Sequence, residues 1–237
     1  MPVAPPGATL PPMCGRMVIT SPHDAMARLF EAEPANDLPE VPNYNVCPTN
    51  RIAVVTSEGD RRLYRPMRWG LIPPWYKTPS GGPLLINARS ETVAEKPAFR
   101  TAVRERRCLV PAAGFYEWDR IDTKRPLPYY VSRADNEPMV FAAIWQDWGE
   151  DEERTSTVAV LTCPANAQMS RVHDRLPVIL DPSDWPLWLG EAGKGAARLL
   201  EPVPDGLLRM VRVGTEVNSN RARGEALIAA LEPINPA

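Results

Sequence analysis

The sequence is poor in the residues from which metal centres and disulfide scaffolds are built. Its 237 residues include four cysteines, none spaced as Cys-x-x-Cys, and two histidines, His23 and His173. A structural zinc site needs four such ligands close together, and a disulfide framework needs a denser set of cysteines in a shorter chain. We therefore expect no bound metal, no cofactor and reduced thiols.

Long apolar runs and an excess of either charge are also missing. No stretch of about 20 apolar residues and no signal-peptide core occurs, so we expect a cytoplasmic protein without a membrane partner. The chain carries 27 Lys and Arg against 29 Asp and Glu, a net charge of −2. Any surface that binds a polyanion must therefore be a local patch. The sequence gives no sign of an oligomer, and we expect a monomer.

Proline, in contrast, is abundant, with 28 residues, about twice its usual share. Many short segments broken by turns are therefore favoured over long helices. Residues 1–12 hold five prolines and no charged side chain. We interpret them as a disordered extension or as a start site placed too far upstream, and residues 13–234 as one domain.

Short alternating segments predict strands throughout this domain. The clearest pair is a hairpin of Ile52–Thr56 and Arg61–Trp69 around Gly59. Helices are predicted after Ser21-Pro22 and, interrupted by Pro97, through residues 93–107. Strands dominate and do not alternate regularly with helices, which favours a single α+β domain on a bent, mostly antiparallel, barrel-like sheet with peripheral short helices.

The tripeptide Cys14-Gly15-Arg16 follows Met13. If translation starts at Met13 and the methionine is removed, Cys14 becomes the N-terminal residue. Its α-amine titrates near neutral pH, so a fraction is uncharged and nucleophilic. Such an amine forms an imine with an aldehyde, and the thiol then closes a five-membered thiazolidine ring. A second interpretation is that Met13 is internal and Cys14 is a small buried hydrophobe.

Three further polar residues stand beside apolar, strand-like runs. Glu117 is flanked by aromatics and is a candidate general acid or base, or an outward-facing strand residue. His173 precedes Asp174-Arg175; it is a candidate proton donor or a structural histidine, and Arg175 could hold a phosphate. Asn87 could donate to a sugar hydroxyl or simply cap a turn.

An aromatic pair, Trp75-Tyr76, occupies a loop rich in glycine and proline over residues 70–83. Such a loop cannot form a hydrophobic core of its own. Its aromatics either pack over a hydrophobic edge or present a stacking surface to a ligand.

Six motifs occur in a fixed order along the chain. They are Met13-Cys14-Gly15-Arg16, Tyr44-Asn45-Val46-x-Pro48-Thr49, Trp69-Gly70-Leu71-Ile72-Pro73, Ile86-Asn87-Ala88-Arg89-x-Glu91-Thr92, Gly114-Phe115-Tyr116-Glu117-Trp118 and His173-Asp174-Arg175-x-Pro177. Together they resemble the SOS-response-associated peptidase family, the abasic-site processing proteins, from Met13 to about Ile234.

The resemblance implies an enzyme that acts on DNA damage. In that family the cysteine after the initiator methionine attacks the ring-opened aldehyde of an abasic site in single-stranded DNA, and the thiazolidine crosslink protects the lesion. The resemblance also implies a peptidase activity that exposes the cysteine, lyase-type chemistry at the lesion, and association with the nucleoid when DNA is bound. The catalytic residues it implies are Cys14, Asn87, Glu117 and His173. The DNA-binding residues it implies are Arg16, Pro48, Trp75, Arg89, Thr162 and Arg175.

Two features depart from the family pattern. Residues 1–12 would block the amine of Cys14 if they stayed attached, and we favour a start at Met13. Cys47 stands where the family usually has a small apolar residue, and we interpret it as a buried thiol rather than a second nucleophile. Two other functions stay open: a cysteine peptidase or amidohydrolase using Cys14 and His173, and a non-covalent single-stranded DNA binder.

Overall fold

Strands make up most of the regular structure in residues 15–119 and 126–231, which are the residues that the computed structural model describes. The strands are β1 (Met17–Ile19), β2 (Ala32–Pro34), β3 (Asn43–Val46), β4 (Arg51–Glu58), β5 (Arg61–Trp69), β6 (Asn87–Arg89), β7 (Arg107–Ala112), β8 (Gly114–Asp119), β9 (Leu127–Arg133), β10 (Met139–Trp148), β11 (Thr155–Pro164), β12 (Arg175–Pro177) and β13 (Leu208–Arg212). The α-helices in this part of the chain are α1 (His23–Phe30), α2 (Ala102–Glu105) and α3 (Trp185–Leu189). Single turns of 3-10 helix occur at Asp151–Glu153, Met169–Arg171, Pro182–Asp184, Ala196–Leu199, Thr215–Asn218 and Glu225–Ile228.

Five strands of the larger sheet close into a barrel. Their order is β11-β10-β7-β4-β5, and β5 pairs with β11 again to complete the ring. All neighbours are antiparallel except β5 and β11, which are parallel. One parallel pair is unavoidable, because strand directions cannot alternate around a ring with an odd number of members.

Strand β11 extends beyond the ring and organises its rim. Towards its end, Thr162 pairs with Arg89 of β6 on one edge and with Pro177 of β12 on the other. The parallel β6 and antiparallel β12 therefore pair with overlapping segments of β11, residues 160–162 and 162–164, which share Thr162. This rim carries several of the polar residues singled out in the sequence.

A second, antiparallel sheet has the order β13-β9-β8-β1-β3. The chain passes from the barrel into this sheet between β7 and β8, where the N–H of Ala113 donates to the carbonyl of Val18 at 2.7 Å. Side chains of a strand alternate between its two faces. Phe115 faces the barrel and meets Phe141 of β10 edge-on, with ring centroids 6.1 Å apart.

The outer face of the second sheet is covered by the end of the chain. Tyr116 and Trp118 of β8 form a small apolar cluster there with Val213, Val217 and Leu227. The main core fills the barrel and the space between the two sheets. The prediction of a single α+β domain on a bent, mostly antiparallel, barrel-like sheet with short helices is confirmed.

Within residues 15–119 and 126–231, no helix is both long and apolar enough to cross a bilayer. The same residues contain no cluster of three or more His, Cys, Asp or Glu side chains arranged to hold a metal ion.

Candidate functional site

Glu117 lies on β8 between β1 and β9, and its side chain is buried, with 1% of the residue exposed. One carboxylate oxygen accepts the backbone N–H of Trp118 at 3.2 Å. Because Glu117 is two residues from Phe115, it points to the same face, towards the barrel. The interpretation of Glu117 as an outward-facing strand residue is therefore wrong.

The N-terminal strand leads directly to this carboxylate. Met17 pairs with Phe115, and the N–H of Tyr116 donates to the carbonyl of Arg16 at 3.0 Å. Continuing the same antiparallel register by one residue places the buried Gly15 opposite Glu117. Cys14 lies outside the described residues.

Arg16 faces the other side of the sheet and is buried. One guanidinium nitrogen donates to the amide oxygen of Asn45 at 2.8 Å and to the carbonyl of Val217 at 2.7 Å, and the other donates to the amide oxygen of Asn220. Burial lowers the pKa of Arg16, which nevertheless remains a cation. The structure therefore places the Arg16 charge against protein acceptors, and contact with a phosphate remains a prediction.

Residues 217–223, which we name the C-terminal strap, cross the end of the second sheet where these residues lie. Besides the contacts with Arg16, the amide of Asn45 donates to the carbonyls of Ser219 and Ala222, each at 3.0 Å. The indole of Trp118 donates to the side-chain oxygen of Asn218 at 2.7 Å. The strap thereby joins the start of β1, the end of β3 and the end of β8.

The remaining polar candidates meet at the rim of the barrel. We name Asn87, Arg89, Thr162, His173 and Arg175 the rim group. Asn87 and Arg89 lie on β6, Thr162 on β11 and Arg175 on β12, with His173 two residues before Arg175. The parallel pairing of β6 with β11 and the antiparallel pairing of β12 with β11 bring them together.

Arg175 is held by a carboxylate that the sequence analysis had not singled out. Its guanidinium is bidentate with Glu91, with one N–O distance of 2.8 Å, and it also donates to the backbone and hydroxyl oxygens of Thr162 at 2.7 and 3.3 Å. Hydrogen bonding from Arg175 lowers the pKa of Glu91 to about 2. A phosphate that bound Arg175 would have to displace Glu91.

His173 is buried, and its orientation is fixed from one side of the ring. The backbone N–H of Arg175 points at Nδ1 from 3.0 Å, so in the neutral ring Nδ1 is the acceptor and Nε2 carries the proton. A carboxylate oxygen of Asp174 lies 2.9 Å from the same Nδ1. In the tautomer that accepts the N–H of Arg175, Nε2–H is a donor.

The turn at residues 47–50 connects the two parts of the site. The N–H of Thr49 donates to the carbonyl of Trp69 at 2.7 Å, and the indole of Trp69 donates to the carbonyl of Ile86, next to Asn87, at 3.1 Å. Pro48 is half-buried in this turn. The thiol of Cys47 donates to the carbonyl of Asn45 at 3.4 Å, and it thereby links the Arg16–Asn45 pair to the turn, whose own contacts lead to the residue before β6.

Cys47, at the start of the turn, is a free thiol and is 8% exposed. Burial raises its pKa, with smaller opposing effects from Arg16 and Arg223. The interpretation of Cys47 as a buried thiol rather than a nucleophile agrees with this placement, because the thiolate is the reactive form.

Trp75 and Arg89 are the exposed members of the predicted site. Trp75 is 56% exposed and meets the ring of Tyr76 edge-on at 6.5 Å. Its loop is anchored by the indole of Trp148, which donates to the carbonyl of Tyr76 at 2.9 Å. Arg89 has no carboxylate within 4.0 Å in the part of the chain that the structure describes.

Three residues that sequence reasoning had not assigned therefore support the site: Asn45, Glu91 and Asn220. Asn45 and Glu91 stand inside the motifs quoted above, so their position in those motifs was a signal. Asn220 follows the last strand in a short polar segment, and nothing in that segment indicates a contact with Arg16 on the opposite end of the chain.

Comparison with known proteins shows which proteins this chain is similar to. The family model of SOS response associated peptidase (SRAP) matches residues 13–220. The abasic site processing protein YoqW of Bacillus subtilis (strain 168) is 34% identical over 223 residues, covering 91% of this chain and 99% of that protein. YoaM of the same organism, also named an abasic site processing protein, is 33% identical over 223 residues, covering 92% and 98%. A crystal structure of a protein from Bacteroides thetaiotaomicron has the same fold, with a TM-score of 0.80 at 23% identity over 92% of this chain and 100% of that one.

Proposed function

Because the chain belongs to the SOS response associated peptidase family, we propose that it processes abasic sites in single-stranded DNA through a covalent crosslink to Cys14. Relatives that align over nearly their whole length are named abasic site processing proteins, which supports the substrate class. The observation that carries the chemistry is the register of β1 and β8, in which Gly15, the neighbour of Cys14, lies opposite the buried Glu117.

The proposed reaction needs an uncharged amine and an aldehyde. Glu117 accepts a proton from the ammonium of Cys14, and the amine adds to the aldehyde carbon of the ring-opened abasic sugar. Loss of one water gives an imine, and the thiol then adds across the C=N bond to give a thiazolidine. One C–N bond and one C–S bond form, and the carbonyl oxygen leaves as water.

Ring opening of the sugar precedes this step and needs a proton donor at the ring oxygen. His173 suits that role because Nδ1 accepts the N–H of Arg175 and Nε2 presents a proton. Asn87, on the neighbouring strand of the rim, would orient the sugar through its amide.

Sequence-independent contacts would hold the DNA strand. The exposed Trp75 would stack on a base, an interaction worth about 1–3 kcal/mol per base. Arg89 is free of a described carboxylate partner and would bind a phosphate, while Pro48 would line the path from its turn. Thr162 and Arg175 would bind a phosphate only after Glu91 moves, and Arg16 would act chiefly by holding β1 to the C-terminal strap.

The working form of the protein would begin at Cys14. Either translation starts at Met13, or the preceding residues are cut away by the peptidase activity to which the family name refers. An amide nitrogen at Cys14 cannot form an imine, so an attached extension would abolish the crosslink.

The test mixes protein expressed from Met13 with an abasic single-stranded oligonucleotide and resolves the products on a denaturing gel. We expect a heat-stable shifted band that is lost in Cys14→Ala and in protein that retains residues 1–13 by intact mass. Glu137→Gln, an exposed change in the turn between β9 and β10, serves as the control and should crosslink normally.

Other outcomes would support the other functions. Repeated turnover of a peptide or amide by protein with a blocked Cys14 nitrogen would indicate a cysteine hydrolase using Cys14 and His173. Reversible binding that is unaffected by Cys14→Ala, without a shifted band, would indicate a passive single-strand binder.

A further inference from the structure

The C-terminal strap carries two arginines that none of the proposed contacts uses. Arg221 and Arg223 are both exposed. Within the described residues, neither has a carboxylate within 4.0 Å. In a chain with a net charge of −2, two neighbouring cations without counterions form a local positive patch.

The backbone that carries these arginines is fixed at the end of the second sheet where β1 begins, shortly after the proposed nucleophile in the sequence. The strap is bonded to Arg16 at the start of β1, to Asn45 near the end of β3 and to Trp118 near the end of β8. Arg16 and Trp118 are the immediate sequence neighbours of Gly15 and Glu117, and Asn45 lies two residues before the turn at residues 47–50. The patch therefore lies at the same end of the second sheet as Gly15 and Glu117, with its anchors on the sheet face opposite to that of Glu117.

Arg223 is also held in place by its own loop. One of its guanidinium nitrogens donates to the carbonyl of Asn220 at 2.7 Å and to that of Ala222 at 2.8 Å. The carbonyl of Ala222 also accepts a hydrogen bond from the side-chain amide of Asn45. Arg223 and Asn45, the partner of Arg16, therefore share one acceptor. A cation that is already restrained loses less conformational entropy when an anion binds.

We propose that Arg223, with Arg221 beside it, forms a phosphate-binding subsite for the backbone of the DNA strand that passes Cys14. The proposal rests on the proposed function, because it takes single-stranded DNA as the occupant. The exposed donors of a guanidinium match phosphate oxygens and make no contact that depends on base identity. The subsite would fix the position of the backbone flanking the lesion.

The experiment measures equilibrium binding of a fluorescein-labelled, lesion-free single-stranded oligonucleotide by anisotropy between about 50 and 200 mM salt. We expect Arg223→Ala to weaken binding and to reduce the slope of log Kd against log salt by about 0.7, the value for one phosphate contact on a single strand. Adding Arg221→Ala should reduce the slope further. Arg223→Lys keeps the charge and should keep the slope.

Arg198→Ala is the matched control, because Arg198 is an exposed arginine on a different element, the turn at Ala196–Leu199. It should bind with the wild-type slope. The subsite is overturned if Arg223→Ala keeps the wild-type Kd and slope, if Arg198→Ala changes them equally, or if wild-type protein does not bind the oligonucleotide. Failure of the wild-type protein to crosslink an abasic strand would overturn the proposed function instead, and the binding comparison would still decide the subsite.

Discussion

The guanidinium of Arg175 shows how a single side chain is oriented at the rim of the barrel. It is 6% exposed as a residue and is bidentate with Glu91 while also donating to Thr162. Its backbone N–H, in turn, fixes the ring of His173. Glu91 is therefore a positioning residue for both the cation and the backbone N–H that orients the imidazole.

We expect Glu91→Gln to lower the free energy of unfolding by about 1 kcal/mol at pH 7, since the Glu91 side chain is 44% exposed and solvent screens the pair. Folding lowers the pKa of Glu91 from its ordinary 4.5 to about 2. The carboxylate therefore stabilises the fold above about pH 4.5, and this contribution disappears as pH falls towards 2.

Thermal unfolding of wild type and Glu91→Gln across this pH range tests the expectation. The difference in Tm should be constant above about pH 5 and should shrink below it. A difference that does not change between pH 7 and pH 3 would contradict the role of the ion pair.

Glu117→Gln tests the proposed base at the same scale. The substitution keeps the shape of a buried side chain and removes its proton-accepting charge, so crosslinking should slow by about 10²-fold or more. Binding to a lesion-free strand should persist. Rates are followed as the band shift over time, with Glu137→Gln as the control, and equal rates for wild type and Glu117→Gln would remove Glu117 from the mechanism.

Sequence reasoning predicted candidate site residues but not the environments in which the structure places them. The aromatic neighbours of Glu117 left its orientation open, because an alternating strand can present either face to solvent. The burial of Arg16 could not be predicted, since its acceptor Asn220 is about 200 positions away and approaches only through the strap. Cys14 lies outside the described residues, so its role stays a prediction.

At the scale of the elements, β8 depends on a glycine at its first position. A Cβ at Gly114 would lie 2.6 Å from Cε2 of Tyr130 and would also contact the carbonyl oxygen of Val131. The ring of Tyr130 is held across this position by its hydroxyl, which donates to the carbonyl of Ala113 at 3.1 Å. Because backbone and a fixed ring both block the space, this strand requires glycine where it enters the second sheet.

We expect Gly114→Ala to lower the free energy of unfolding by about 2 kcal/mol, the usual cost of an overpacked site. Urea denaturation measures the change. Gly59→Asn is the control, since Gly59 has φ +63° in the hairpin turn with open space around its Cα, and asparagine tolerates that conformation. A loss for Gly114→Ala no larger than that of the control would contradict the steric explanation.

The longer strands could be predicted from alternation, and the shortest could not. The predicted hairpin of Ile52–Thr56 and Arg61–Trp69 is confirmed as β4 and β5, which pair antiparallel. Strands β1 and β3 have three and four residues, too few for a periodic pattern. The predicted helix through residues 93–107 is wrong except for α2, because the chain before it forms a series of turns around Pro97.

At the scale of the whole molecule, the closing of the barrel lies beyond local sequence signals. Strands β5 and β11 are about 90 residues apart and pair through only two residue positions in each strand. Their parallel orientation follows from the odd number of strands in the ring, which becomes evident only when all five are known. The bent, antiparallel character of the sheets could be predicted, whereas this long-range parallel contact could not.

The fold buries three cysteines in different parts of the molecule. Their reactivity therefore tests whether the whole protein is folded as described. Cys47, Cys108 and Cys163 are free and buried, and burial raises the pKa of each, that of Cys163 to about 12. A Cys14→Ala variant should therefore show no rapidly reacting thiol towards a disulfide reagent at neutral pH and three after denaturation. Rapid modification of Cys47 in the folded variant would contradict the buried placement.

The position of the C-terminal strap in the sequence determines when its contacts with Arg16 can form during synthesis. The ribosome adds residues 217–223 about 200 positions after Arg16, yet Arg16 takes two of its three acceptors among the described residues from that later segment. A ribosome-bound chain consequently holds its first strand without the clamp that fixes it. Translation therefore has to pass residue 223 before a nascent chain can hold Arg16 in this way, and a product truncated before residue 217 cannot assemble that clamp.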